Sequence, residues 1–291
     1  MAEATHDDCS LLEKPSVEID PLAVNDVPSD KAANGDGDSQ IIATCCLSKR
    51  GKQVWVFSKC AAPAYARAIE HDCVKNRGVK RTVDKIVEAG IIPNDQSEGT
   101  KLLRYYMNLA RETNNPVHLL KAYTLESSFY RHINDYMSEG DDNEVFKKLC
   151  GGWSGYYTGA LMRHPALSSY RWRGSVFRGF VIDKEDFDKS YKMNYLISNK
   201  AFQSTSKLAA VARRFAYHRE SINIGDIRVM ISYNILDNRA ALDIENISRY
   251  PAEKEVLMMP GCLFKISSLV LGKSKNDLTV VTVDQLLTMN A

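Results

Sequence analysis

Most of the familiar signatures of a nucleotide or metal enzyme are missing from this sequence. No G-x-G-x-x-G or G-x-x-x-x-G-K-[ST] occurs, so neither a Rossmann phosphate turn nor a P-loop is supported. The six histidines show no H-x-x-x-H or H-E-x-x-H spacing, and none of the seven cysteines forms a C-x-x-C pair, so no metal centre is expected. No apolar run approaches the roughly 18–20 residues needed to cross a bilayer, and the end, LLTMNA, has no hydrophobic tail for a lipid anchor. The start, MAEATHDDCS, is acidic and polar, unlike a secretory leader. The odd, irregularly spaced cysteines (Cys9, Cys45, Cys46, Cys60, Cys73, Cys150 and Cys262) then read as reduced thiols, and the expected setting is cytoplasmic.

The 291 residues suffice for a core without staples. The net charge of +2 is unevenly distributed. Residues 1–40 hold two lysines against ten carboxylates, a balance of −8, which leaves +10 on the remainder. A basic body suits a phosphate-bearing ligand, and a solvated surface accounts for it as well. Nucleic acid finds no aromatic–basic motif in its favour. The acidic stretch 1–40, rich in Asp, Ser, Pro and Gly, is expected to be a disordered arm. Residues 41–97 form a segment of unknown role, with a hairpin expected around Gly51, and residues 98–291 form the main domain.

From Ala61 to about Pro165, apolar residues recur three or four apart and predict helices, with a stop at Gly90 and Pro93. PVHLLKAYTLESSFYRHINDYM aligns Leu119, Tyr123, Tyr130, Ile133 and Met137 on one face, which reads as core. After Trp172 the texture turns to strands: 175–182, 200–206, 226–235, 253–259, 262–272 and 278–283, with a helix over 207–219 capped by Ser206. A helical first half followed by many strands argues for an α+β fold.

Three strand-borne clusters carry candidate chemistry. Arg178 sits between apolar neighbours in VFRGF, where an unpaired guanidinium is costly and seeks an anion, and Gly179 beside it lets a ligand approach the backbone. A structural ion pair or an edge position explains Arg178 equally. Ser204 and Ser206, two apart in extended chain, face one side and can orient a carboxylate or a ribose, or simply end a strand and cap a helix. Glu253 and Glu255, read as two positions of one strand, point to one side with Lys254 opposite. Two carboxylates that close call for a cation between them, unless the strand start is merely solvated.

Together, Phe177-Arg178-Gly179, Phe202-Gln203-Ser204-Thr205-Ser206 and Glu253-Lys254-Glu255-Val256-Leu257 with Pro260 resemble the Arg–Ser–Glu signature of the cholera-toxin-like, arginine-modifying mono-ADP-ribosyltransferase family. ISRYP (247–251) resembles the turn before the family's Glu-x-Glu pair, and KAYTLESSFYRHIN is similar to its N-terminal helices. The resemblance spans roughly residues 100–285.

It implies a split β-sandwich around an NAD cleft, with an N-terminal helical region. It implies that Arg178 holds the NAD diphosphate, Gly179 contacts the nicotinamide amide, Ser204 orients Glu255, and Glu255 binds the ribose 2′-hydroxyl. Glu253 would then receive and deprotonate the acceptor, an arginine exposed on a protein. Phe215 would stack on nicotinamide unless it packs on the helix's apolar face. Tyr250 would offer an aromatic surface to the acceptor or simply pack in the turn, and His218 and Arg219 are candidates for phosphate contacts. An NAD glycohydrolase, or a silent NAD- or ADP-ribose-binding module, are the competing readings.

Overall fold

The structure is a computed structural model that describes residues 47–50, 54–57, 62, 65, 68–69, 75–125, 128–140, 142–218, 223–274 and 276–287. The acidic arm, the turn at Gly51 and Arg219 lie outside these residues. Among the described residues there are eight α-helices and ten strands: two strands, then six helices, then eight strands with two helices among them. The architecture is α+β, as the order of patterns predicts.

The helices are α1 (Val79–Glu88), α2 (Glu98–Thr113), α3 (Val117–Tyr123), α4 (Phe129–Ser138), α5 (Asp142–Cys150) and α6 (Trp153–Arg163), with α7 (Lys184–Ser190) and α8 (Ala209–Tyr217) between strands. Their boundaries follow local chemistry. Ser97 caps α2 by accepting from the Thr100 amide at 3.2 Å. Gly90, at φ 66°, turns the chain after α1. Residues 117–138 are two helices rather than one, and at the end of the first the Thr124 hydroxyl donates to the Lys121 carbonyl at 3.0 Å. The expected face survives the break: Leu119, Tyr123, Ile133 and Met137 are buried, and Tyr130 is half-buried.

The strands are β1 (Leu47–Arg50), β2 (Val54–Phe57), β3 (Gly174–Asp183), β4 (Leu196–Asn199), β5 (Gln203–Ser206), β6 (Asp226–Ile235), β7 (Ala241–Asp243), β8 (Glu255–Met258), β9 (Leu263–Val270) and β10 (Leu278–Gln285). They hydrogen-bond in the order β1-β2-β4-β9-β10-β6-β3-β5-β8-β7. The two runs that flank Gly51 pair antiparallel as β1 and β2. β2 then pairs with β4, so this segment lengthens the sheet.

By hydrogen bonding the strands form one sheet rather than two, yet the split is real. β3 pairs with β6 over its whole length, from Gly174↔Ile235 to Asp183↔Asp226. Its pairing with β5 consists of one register pair, Phe177↔Ser206. Beyond that pair, β5, β8 and β7 form a leaf of their own. Val176, Ile231, Tyr233, Phe264, Val281 and Val283 from the large leaf pack with Val256 and Met258 from the small one in a shared core. The alternate residues Leu257 and Met259 join Leu242, Phe202 and the helices in a second core. Period-two alternation therefore gives β8 two apolar faces, which suits a strand covered on both sides.

One cysteine departs from expectation. Cys150, at the end of α5, is disulfide-bonded, and the other half of the bond lies outside the described residues. Cys262 is free. Sequence spacing does not report the Cα separation that a disulfide needs, so the reduced-thiol reading fails at Cys150, and the compartment inferred from it loses that support. Among the described residues no helix is long and apolar enough to cross a membrane.

Gly179 has a packing role that its sequence context does not reveal. A Cβ there meets the Ala212 carbonyl oxygen at 1.7 Å and the Ala216 amide nitrogen at 2.9 Å, so the backbone of α8 rests on β3 at this point. Gly179→Ala is expected to lower the melting temperature, reflecting destabilisation of about 1–3 kcal/mol or more. A thermal melt matching the wild type contradicts this.

Candidate active site

The sheet parts at Phe177↔Ser206, and the three predicted clusters meet there. Arg178 follows Phe177 on β3, and its Nη1 donates to the Ser204 carbonyl at 2.9 Å across the parting. Its Nε is buried without a hydrogen-bond partner. A guanidinium with one committed and one orphaned donor is poised for an anion. The Arg178 Cζ stands 6.0 Å from the centre of the Phe180 ring. Its positive charge also opposes the upward push that burial gives the hydroxyls of Tyr191 and Tyr233. No ion pair accounts for Arg178 among the described residues.

Glu255 opens β8, directly across from Ser206. Alternation puts Ser204, Ser206 and Glu255 on one face. The Ser204 hydroxyl donates to Glu255 Oε1 at 2.5 Å. Ser248, absent from the sequence-based candidates, donates to Glu255 Oε2 at 2.8 Å. The two serines do not divide the work as their shared face suggests. Ser204 is exposed and reaches the carboxylate, whereas Ser206 is buried, donates to the Glu253 carbonyl at 2.6 Å and accepts from the Leu208 amide at 2.9 Å. Leu208 rather than Ser206 occupies the N-cap position of α8, so Ser206 secures the turn before the helix and not its cap.

Glu253 is not on the strand. It ends a 3-10 turn, Pro251–Glu253, and Lys254 follows in the left-handed region at φ 49° before β8 begins. The proline sets the turn and the left-handed residue reverses the alternation, so the two-apart rule does not place these carboxylates side by side. Glu253 is half-buried and belongs to the loop of residues 244–254, which joins β7 to β8.

Charges brace the base of that loop. Lys207 Nζ donates to Asp243 Oδ2 at 2.6 Å and Glu245 Oε2 at 3.0 Å, and Lys254 Nζ donates to Glu245 Oε1. The two lysines hold the Glu245 carboxyl below its ordinary range. Lys207 Nζ also lies 4.6 Å from the centre of the Trp172 ring, and the Lys207 amide donates to the Lys254 carbonyl at 3.1 Å.

The helical layer contributes Tyr123 from α3. Burial drives its hydroxyl well above the usual tyrosine range, while the Asn134 amide, donating at 2.9 Å, pulls the other way. Glu255 pushes it further up and Arg178 draws it down, so this hydroxyl senses both site charges. Phe215 does not lie on the buried face of α8, which is Val211, Ala212 and Ala216; it is 40% exposed. His218, just after α8, is exposed, and Tyr250 is half-buried in the loop. Among the described residues no group of three or more His, Cys, Asp or Glu side chains could hold a metal ion.

Residues 167–290 match the ADP-ribosyltransferase exoenzyme family. The match takes in β3 to β10 and every strand-borne group of the site, and it leaves the helices up to α6 outside. ADP-ribosyltransferases use NAD as substrate, and they are transferases. The type III effector XopAI from Xanthomonas axonopodis pv. citri, in a form lacking 70 N-terminal residues, has a similar fold: 17% identity over 76% of this chain and 94% of that one, with a TM-score of 0.53. Vis toxin, an ADP-ribosyltransferase from Vibrio splendidus, is 21% identical over 69% of this chain and 93% of its own, with a TM-score of 0.41, too loose a superposition to compare sites. No curated protein matches the chain.

The bracing has a dynamic consequence. Lys207→Ala leaves Asp243 and Glu245 facing each other without their shared cation. Hydrogen exchange of amides in residues 244–254 should then quicken, with no change in α1–α6. Unaltered exchange in the loop contradicts a bracing role for Lys207.

Proposed function

We propose that the chain is a mono-ADP-ribosyltransferase that moves ADP-ribose from NAD to an arginine exposed on a protein. The observation that carries this reading is the carboxylate of Glu255, gripped at both oxygens by serine hydroxyls, across the parting from a guanidinium with a buried, unmatched donor.

The chemistry is that of glycoside cleavage. The bond between nicotinamide and C1 of the ribose breaks, and its electron pair leaves with the nitrogen. The leaving group departs neutral because it begins as a cationic pyridinium, so no general acid is required. Positive charge builds on the ribose in an oxocarbenium-like transition state. Glu255 stabilises that charge and accepts a hydrogen bond from the 2′-hydroxyl. Its held orientation avoids reorganisation during the reaction, which is where preorganised groups gain most. Arg178 binds the diphosphate, and Phe215 offers its exposed ring to the nicotinamide.

The acceptor is protonated at physiological pH, with a guanidinium pKa above about 12. It has to be drawn in and relieved of a proton as its nitrogen bonds to C1. Glu253, carried on the braced loop beside Glu255, takes that proton. In the family that the chain resembles, Glu at this position accompanies arginine as acceptor, which supports arginine here. The separate turn that carries Glu253 supports a separate duty for it.

NAD labelled in its adenylate half, incubated with and without agmatine, tests the reading. Nicotinamide release and labelled agmatine are both expected. Glu255→Gln should lower both by roughly 10²–10³-fold. Glu253→Gln should abolish labelling of agmatine while sparing part of the nicotinamide release. Nicotinamide formed at one rate with no labelled acceptor makes the protein a glycohydrolase and removes the role given to Glu253.

A further inference from the structure

Glu255 is held from three directions, and only one of them comes from the predicted Ser-Thr-Ser strand. Ser204 takes Oε1. The Ile244 amide donates to the Glu255 carbonyl at 3.1 Å, which ties the first residue of the loop to the strand that ends it. Ser248 takes Oε2. Ser248 is 8% exposed, and its position is set by its own amide, which donates to the Ile244 carbonyl at 2.8 Å.

A serine hydroxyl has one proton to give and lone pairs to receive. In Ser248 both capacities are engaged. The proton goes to Glu255 Oε2, and the oxygen accepts from the Tyr250 amide at 3.2 Å. The Tyr250 carbonyl in turn accepts from the Glu253 amide at 3.0 Å. One side chain thus joins the carboxylate at the start of β8 to the turn that carries the other carboxylate. If Ser248 released its proton from Oε2, Glu255 would be free to pivot about its single remaining bond to Ser204. If it released Tyr250, the start of the turn that carries Glu253 would lose its bond to Ser248.

We infer that Ser248 is a positioning residue that orients Glu255 through Oε2 and sets the placement of Glu253 relative to it. This rests on the transferase reading above. With Oε1 committed to one hydroxyl and Oε2 to the other, the plane of the carboxylate is held, and each oxygen keeps lone-pair capacity for the ribose. Ser248 itself touches no reacting atom. Its removal therefore acts on the chemical step and not on the grip on NAD, which Arg178 supplies.

The test is steady-state nicotinamide release by the full chain with agmatine present and NAD titrated, for wild type, Ser248→Ala and Ser248→Thr, each with a thermal melt. For Ser248→Ala the expected result is a kcat lower by about ten-fold or more, the scale for one lost hydrogen bond to a charged group, and a KM for NAD within about three-fold of wild type. Ser248→Thr keeps the hydroxyl and should recover most of the lost kcat. A wild-type kcat in Ser248→Ala, or a loss confined to KM, overturns the inference. If Ser248→Ala does not fold, Ser248→Thr decides: near wild-type kcat supports the role, and a ten-fold deficit with an intact melt overturns it. A wild-type protein that binds NAD but releases no nicotinamide overturns the transferase reading itself, and this role falls with it.

Discussion

Two leaves of one sheet are joined through a single register pair, Phe177↔Ser206, and the site depends on that economy of contact. Had β3 and β5 paired along their length, Arg178 and Ser204 would have lain within a closed ladder. Because the pairing stops, the Arg178 side chain reaches across to a β5 carbonyl and keeps an unused donor. The parting is held open by strong pairing on either side. β3 is committed to β6 along ten residues, and β5 to β8 along four. Helix α8 leans on the other face of β3 and needs Gly179 to do so. The position of the cleft is thus a matter of which strands are saturated.

The second constraint is electrostatic. In the proposed reaction, a carboxylate that stabilises a positive ribose has to be oriented without being neutralised. Serine hydroxyls meet that need, since they donate hydrogen bonds and carry no charge. Two lysines of the neighbouring loop are engaged elsewhere: Lys207 and Lys254 face Asp243 and Glu245 at the base of the loop, not Glu255. The loop gains its bracing from those ion pairs.

Much of this was legible in the sequence where the residue type itself was costly. An arginine among apolar strand residues and glutamates before an apolar strand are expensive unless used, and the structure gathers Arg178, Ser204 and Glu255 in one place. Strands 175–182 and 226–235 came through almost unchanged, because alternation or β-branched content is a local property. Placement that depends on distant chain was not legible. Gly179 announces a missing Cβ and not what fills the space, which proved to be α8. Glu253 was read as strand, although Pro251 gave a warning; the left-handed Lys254 gave none, since non-glycine residues seldom adopt that conformation. Ser248 is one serine in a polar turn, with no sign of a partner seven residues on. The short strands β4 and β7 owe their existence to their neighbours, and the Cys150 disulfide to a fold that spacing does not encode.

In the proposed reading the parting of the sheet is an anion-seeking NAD site built around Arg178. Calorimetric titration of NAD into wild type and Arg178→Ala addresses it most directly, with a thermal melt of each as control. Binding weaker by about ten-fold or more in Arg178→Ala, with an undiminished melt, is the predicted result for a charge-assisted contact to the diphosphate. Equal affinity in the two proteins would contradict it and move NAD away from the parting.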